Sequence, residues 1–376
     1  MNFYPVITGT VFIRDVQDVN LVAASADPVD VSVSAGNSAW TVPVTPVLAG
    51  QDYVACLRMR EILAAVVTAP GLADAGVREV PLVSFAADGA TMAFRALYGG
   101  AAGRTPAQLA GNWLTWREQV SRTYAWGRER LTFLAGLDLL GWTDGTYTVS
   151  VTIYRSGEDP VTQTLASGTL QAGCRYVTVD VSYAVVSALV SGTILAWDVS
   201  FAFAGTSEGD AATLDGYPIR LVLARQDVRA KEFVFANSFG VEDRVYSAGR
   251  SNPKVDGVAV PFLAGGEERE LRNDAEDATE IYSGHIASAR EGALWLDFLK
   301  SYDRYIIADG VPQRIVVDSR ETDLQDYGLG SVKFTCRLAK RAPGRFFSND
   351  ADLGSYPPEP YTSRDFTDAY SDDFRN

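Results

Sequence analysis

Thr146-Tyr147-Thr148-Val149-Ser150-Val151-Thr152-Ile153-Tyr154 alternates without a break, with Tyr147, Val149, Val151 and Ile153 on one side and Thr148, Ser150 and Thr152 on the other. A period of two places one set of side chains on each face of a pleated strand, so this stretch is a strand with one buried face. Asp144-Gly145 before it and Ser156-Gly157 after it are turn formers. The same alternation returns in Val177, Val179 and Val181, and again in Leu195, Trp197, Val199, Phe201 and Phe203. Half-buried strands separated by Gly- and Asp-bearing turns are the pattern of an antiparallel sandwich. One sandwich is therefore expected over about 131–205.

Outward from this centre the chain stays extended. Residues 5–16, 29–34, 40–47 and 90–98 read as strands, and the apolar stripe of Ile62, Leu63, Val66 and Val67 predicts a helix over 58–67. Gly99-Gly100-Ala101-Ala102-Gly103 reads as a hinge, since its glycine spacing is not that of a dinucleotide loop. Beyond the sandwich, 219–223, 232–235, 314–317 and 331–338 are strand-like. Ser288 followed by Glu291 starts a helix carrying Gly292, Trp295, Leu296, Leu299 and Tyr302 on one face. The expected fold class is mainly β: antiparallel sandwich units at 1–100, 101–213 and 214–345, a few short helices, and an extended arm at 346–376.

That arm has no periodic pattern, and Pro357-Pro358-Glu359-Pro360 excludes regular structure there. Tyr356, Tyr361, Phe366, Tyr370 and Phe374 nevertheless recur among Asp350, Asp352, Asp365, Asp368, Asp372 and Asp373. Solvated tails are poor in aromatics. These five rings are accordingly the candidate partner-binding residues of a docking arm.

Composition removes several function classes. The chain has 376 residues and a formal charge of −14, so its surface repels phosphate backbones and anionic lipid. Nucleic acid and membrane are not expected partners. With one histidine, His285, two-histidine metal sites are excluded within one chain, and any Ser-His-Asp or Cys-His triad has a single candidate base. Cys56, Cys174 and Cys336 are far apart and odd in number, which points to free thiols. The N-terminus lacks a signal pattern, and no apolar run approaches the roughly 20 residues that span a bilayer. A soluble protein without an export address is expected.

Three groups of residues invite a chemical reading. Trp113, Trp116, Trp126 and Trp142 crowd together with Tyr124. They form either a stacking platform for sugars or the packing of a strand and a domain junction. Glu267, Glu268, Glu270, Asp274, Glu276, Asp277 and Glu280 supply oxygens for a cation, but without EF-hand spacing and with Arg269 and Arg272 among them. A solvated, salt-bridged strand or loop is the other reading. Gly205-Thr206-Ser207-Glu208-Gly209 matches the nucleophile-elbow string, yet the short, glycine-bounded stretch after it does not read as the helix an elbow requires. A polar turn fits better. No catalytic residue, cofactor or metal ligand is assigned.

Several segments carry a resemblance. They are Gly9-Thr10-Val11-Phe12-Ile13-Arg14-Asp15-Val16, Ala93-Phe94-Arg95-Ala96-Leu97-Tyr98, residues 231–243 (KEFVFANSFGVED), Trp295-Leu296-Asp297-Phe298-Leu299 and Tyr305-Ile306-Ile307-Ala308-Asp309-Gly310. Together they are similar to multidomain β proteins encoded by phages and prophages of Bacteroidetes. The resemblance implies a non-enzymatic virion component of a tail tip or baseplate, assembled in the host cytoplasm. Its expected partners are copies of itself and other tail proteins. The alternative is a host-attachment module that holds a surface glycan through Trp113, Trp116, Trp126 and Trp142.

Overall fold

The computed structural model describes residues 1–36, 38–67, 75–100, 103–207, 210–224, 230–256, 259–264, 267–273, 276–286, 288–323 and 330–339, with backbone alone described over 255–276. Strands dominate them, and nearly all pairings are antiparallel. The 346–376 arm, with Tyr356, Tyr361, Phe366, Tyr370 and Phe374, lies outside the described residues.

Asp144–Arg155 is the strand that the alternating sequence predicts, with Tyr147, Val149, Val151 and Ile153 buried. It sits inside a sheet ordered Val120–Thr123, Ile219–Leu223, Ile194–Ser207, Asp144–Arg155, Val161–Gln171, with Asp210–Asp215 also pairing with Ile194–Ser207. Facing it is a second sheet of Arg130–Gly136, Cys174–Asp180 and Gly76–Glu79. Inward side chains of both sheets make one core, in which Phe133 stacks on Phe201 with ring centres 4.1 Å apart. Each large apolar side chain closed into such a core contributes about 1.5–3 kcal/mol. The register slips between Tyr154 and Arg155, so Arg155 pairs with Ile194. The slip makes Ile194 the buried end of the alternating face and leaves Leu195, expected inside, 51% exposed.

The first hundred residues form two further sheets around their own core, closed by the Met59–Val66 helix, which buries Met59, Leu63 and Val66. Toward the other end, seven strands run in the order Glu242–Ser247, Lys231–Ala236, Arg304–Ala308, Val311–Asp323, Ser331–Leu338, Glu276–Tyr282, Ser251–Asp256. The Ala289–Lys300 helix lies against this sheet through Trp295, Phe298 and Leu299, and Ser288 Oγ caps it by accepting the Glu291 N–H at 3.0 Å. Tyr302, expected on the buried face, falls beyond the helix and is exposed.

Residues 1–338 form one compact unit. Gly76–Glu79 from the first stretch of sequence completes a sheet of the sandwich, and a fourth apolar cluster joins Phe12 and Leu97 to Leu114, Leu134 and Tyr176 and to Phe239 and Val241. Gly99 and Gly100 are a correction to the hinge reading. The Gly100 N–H donates to the Ser238 carbonyl at 2.7 Å, and a Cβ on Gly99 would sit 2.4 Å from that same oxygen. These glycines let two backbones cross in contact and do not loosen a joint. The elbow string is also settled: Gly205–Ser207 end one strand, and Asp210–Asp215 returns beside it as the next. An elbow needs a helix there. Among the described residues no helix is long and apolar enough to cross a membrane.

Candidate functional site

The unusual chemistry of this molecule is a set of charges sealed inside it. Arg117, in the stretch that leads into the Val120–Thr123 strand, and Arg244, on the Glu242–Ser247 strand, are 2% and 4% exposed. Arg117 Nη1 meets Glu129 Oε2 at 2.6 Å, and its Nε meets Asp243 Oδ1 at 2.8 Å. Arg244 is paired with both Glu232 and Glu242, and Glu242 also receives Arg130 at 3.4 Å. Tyr246 donates its hydroxyl to Glu129 at 2.7 Å, and Thr115 donates to Asp243 at 2.6 Å. Asn237 adds a hydrogen bond to the Leu114 carbonyl at 2.8 Å.

Arg117–Glu129 lies within residues 114–130 and the two Arg244 pairs lie within 232–246. Arg117–Asp243, Arg130–Glu242, Thr115–Asp243, Tyr246–Glu129 and Asn237–Leu114 cross between the two segments, so the set works as an electrostatic weld between the sandwich and the seven-stranded sheet. Desolvation is the cost of such a cluster, and dense pairing offsets it. Three guanidinium groups face four carboxylates: Arg117, Arg130 and Arg244 against Glu129, Glu232, Glu242 and Asp243. The surplus is negative. Accordingly Glu232 is held above the usual carboxylate range, first by burial and then by the nearby Glu129 charge, with Arg244 opposing. The same surroundings push the Tyr246 hydroxyl well up.

Above the weld opens a cleft of about 310 Å³, lined by Arg117, Tyr124, Tyr246, His285, Glu291 and Trp295 among others. His285 is exposed at its margin. Ser207, the other half of a hydrolytic pair, is not among its lining residues. The cleft presents mixed charge and aromatic faces suited to gripping a polar side chain or segment. No group of three or more His, Cys, Asp or Glu side chains able to hold a metal occurs among the described residues. Of the acidic run, the side chains of 267–276 lie outside the described residues. Glu280 is buried, paired with Lys254 and Lys333, and held down to about 2 chiefly by its Lys254 and Tyr282 hydrogen bonds.

The four tryptophans do not form a platform. Trp113 is buried, donating its indole N–H to the Tyr217 carbonyl at 3.0 Å with its ring edge-on to Phe201. Trp142 is buried against Phe203. Trp116 is half-buried, stacked on Phe239 and bonded to Ser238 Oγ at 2.7 Å across the seam between segments. Only Trp126 keeps an open face, 39% exposed and stacked on Tyr124 beside the cleft. A sugar cannot stack on a buried ring, which removes Trp113 and Trp142 from any glycan site.

Sequence reasoning missed the weld. Its trace is there in hindsight: Glu232 stands directly before the apolar run Phe233-Val234-Phe235, and Glu242-Asp243-Arg244 sits in a strand that alternation would have half-buried. Comparison of the chain with family models and with curated proteins gives no match.

Proposed function

We propose that this chain is a non-catalytic structural subunit of a larger assembly, a phage tail tip or baseplate, working as one of many copies. The observation that carries the reading is the weld. A chain of separate β units needs only linkers to fold, whereas here buried ion pairs and a shared apolar cluster hold the sandwich and the seven-stranded sheet as one compact body. Fixed geometry between several sheets is what a part passing load between neighbours requires. The resemblance of the 9–16, 93–98, 231–243, 295–299 and 305–310 segments to virion β proteins supports the same reading.

The 346–376 segment is the docking arm of this proposal. Ordering it costs about 1–2 kcal/mol per residue in backbone entropy, more than burial of five aromatic rings at about 1.5–3 kcal/mol each returns. Backbone hydrogen bonds to a neighbour, as in strand addition, make up the difference. The experiment is deletion of 346–376: the body keeps its melting profile and particles fail to incorporate the truncated chain. Normal incorporation would refute the arm, and absence of the full-length protein from particles of its source would refute the assignment.

Trp126 keeps the glycan-binding alternative open in a narrower form. Binding on a glycan array that Trp126→Ala abolishes would favour it.

A further inference from the structure

The Val161–Gln171 strand is the last strand of its sheet, paired on one side with Asp144–Arg155. In an antiparallel ladder half of a strand's N–H and C=O groups point away from that partner. Among the described residues, the backbone hydrogen bonds outside regular elements include none from residues 161–170. Exposed edges invite another chain, and proteins blunt them with charge, proline, short length or cover. The other edges here carry those devices. Ser38–Val44 has Pro43, Ser251–Asp256 has Pro253 and Lys254, Gly76–Glu79 has Arg78 and Glu79, and Val120–Thr123 is four residues long with Arg122. Val161–Gln171 has eleven residues, none charged and none proline. A bulge where the register shifts opposite Val149 and Ser150 interrupts its first half, and the Arg175 guanidinium donates to the Gln171 carbonyl at its end, which leaves Ala166–Leu170 uninterrupted.

We propose that this edge is an interface with a second copy of the chain, the two strands pairing antiparallel across a two-fold axis through the 166–170 half. The proposal goes beyond the assembly reading and does not depend on it. Two-fold pairing of a strand with itself brings residues near the axis opposite their own symmetry mates, so any charge there meets its like. A strand free of charge, in a chain with a formal charge of −14, is suited to that partner above others. Its outer face offers Thr162, Thr164, Ser167 and Thr169, and Thr162 already bonds across the sheet to Thr152 at 2.9 Å. Toward the core, Leu165 and Ala166 are only partly covered where the sandwich ends, and a further strand closes that rim. Growth stops at two copies, because the far edge of the same sheet is the short, Arg122-bearing strand.

The test uses the full chain in sedimentation equilibrium, with Thr169→Lys, Thr169→Glu, their equimolar mixture and a 346–376 deletion. The wild type is expected to dimerise, each single variant to weaken dimerisation by roughly tenfold or more, and the mixture to recover it. An unchanged circular dichroism spectrum shows that the variants fold. A monomeric wild type, dimerisation untouched by either charge, or dimerisation lost on deleting 346–376 but kept in Thr169→Lys would each overturn the proposal.

Discussion

Arg117 is bound to two carboxylates in a cluster whose charge is already one negative unit in excess, and that sign orders the consequences of substitution there. Arg117→Met deletes a cation and leaves Glu129 and Asp243 buried without their main partner. Breaking a buried pair in this way costs about 3–5 kcal/mol. Glu129→Gln removes surplus negative charge and keeps an acceptor for Tyr246 and Arg117. It should cost distinctly less in urea melts, and equal losses would contradict the charge balance. Asp297 gives a pH readout. Its carboxylate accepts the Ser238 N–H at 2.7 Å, but burial raises its pKa above the ordinary value. The folded protein thus holds this proton to higher pH than the unfolded chain does. The penalty for the buried charge is present above the folded pKa and absent below the ordinary value of about 3.9. As pH falls through that window, the wild type should gain stability relative to Asp297→Asn, and parallel stability–pH curves would refute this. None of these pairings could be read from the sequence, because Arg117 and Asp243 are brought together only by the fold.

Single strands were legible where alternation had a dry side: Asp144–Arg155 follows it closely and Ser331–Leu338 buries the expected Val332, Phe334 and Cys336. Cys174–Asp180 departs from it, because both its faces are covered and Tyr176 and Thr178 are buried along with Val177 and Val179. Neighbours within sheets were not, since periodicity states which face is buried and never against what. Gly76–Glu79, exposed along its length, owes its place to backbone pairing with Arg175–Thr178. The glycine crossing is the clearest case, with a composition that fits a hinge and a packing that is the opposite. Gly240 has φ +83°, and a Cβ there would lie 2.1 Å from the Tyr98 carbonyl oxygen. Gly240→Ala should therefore lose about 1–3 kcal/mol from backbone strain alone, and more from the clash. Gly36, also at positive φ but with open space around it, is the control, expected to show the smaller loss in thermal melts. Ser288→Ala should cost about 1 kcal/mol through the lost helix cap.

At the scale of the whole molecule, the order in which the segments come apart depends on what joins them. Residues 1–100 are tied to the sandwich by a shared sheet and by Phe12 and Leu97 in the fourth apolar cluster. The seven-stranded sheet joins that cluster through Phe239 and Val241, and is tied further by Trp116 on Phe239, by Tyr246 against Tyr124 and Trp126, by the ion weld and by the glycine crossing. Trimming one apolar partner loses its burial and leaves a cavity but strands no charge, whereas a broken ion cluster leaves its remaining charges buried and unpaired. Removing Arg117 should thus loosen one junction and spare the other. Chains of this length commonly unfold through intermediates, so the loosening should appear as partial opening. Native-state hydrogen exchange on Arg117→Met should show the Phe233–Phe235 amides losing protection by several orders of magnitude, as about 1.4 kcal/mol corresponds to tenfold. Val149, Val151 and Ile153, inside the sandwich core, should keep nearly all of theirs. An equal fall at both places would mean that the weld serves global stability alone, and that residues 1–338 open as one piece even when their charged seam is cut.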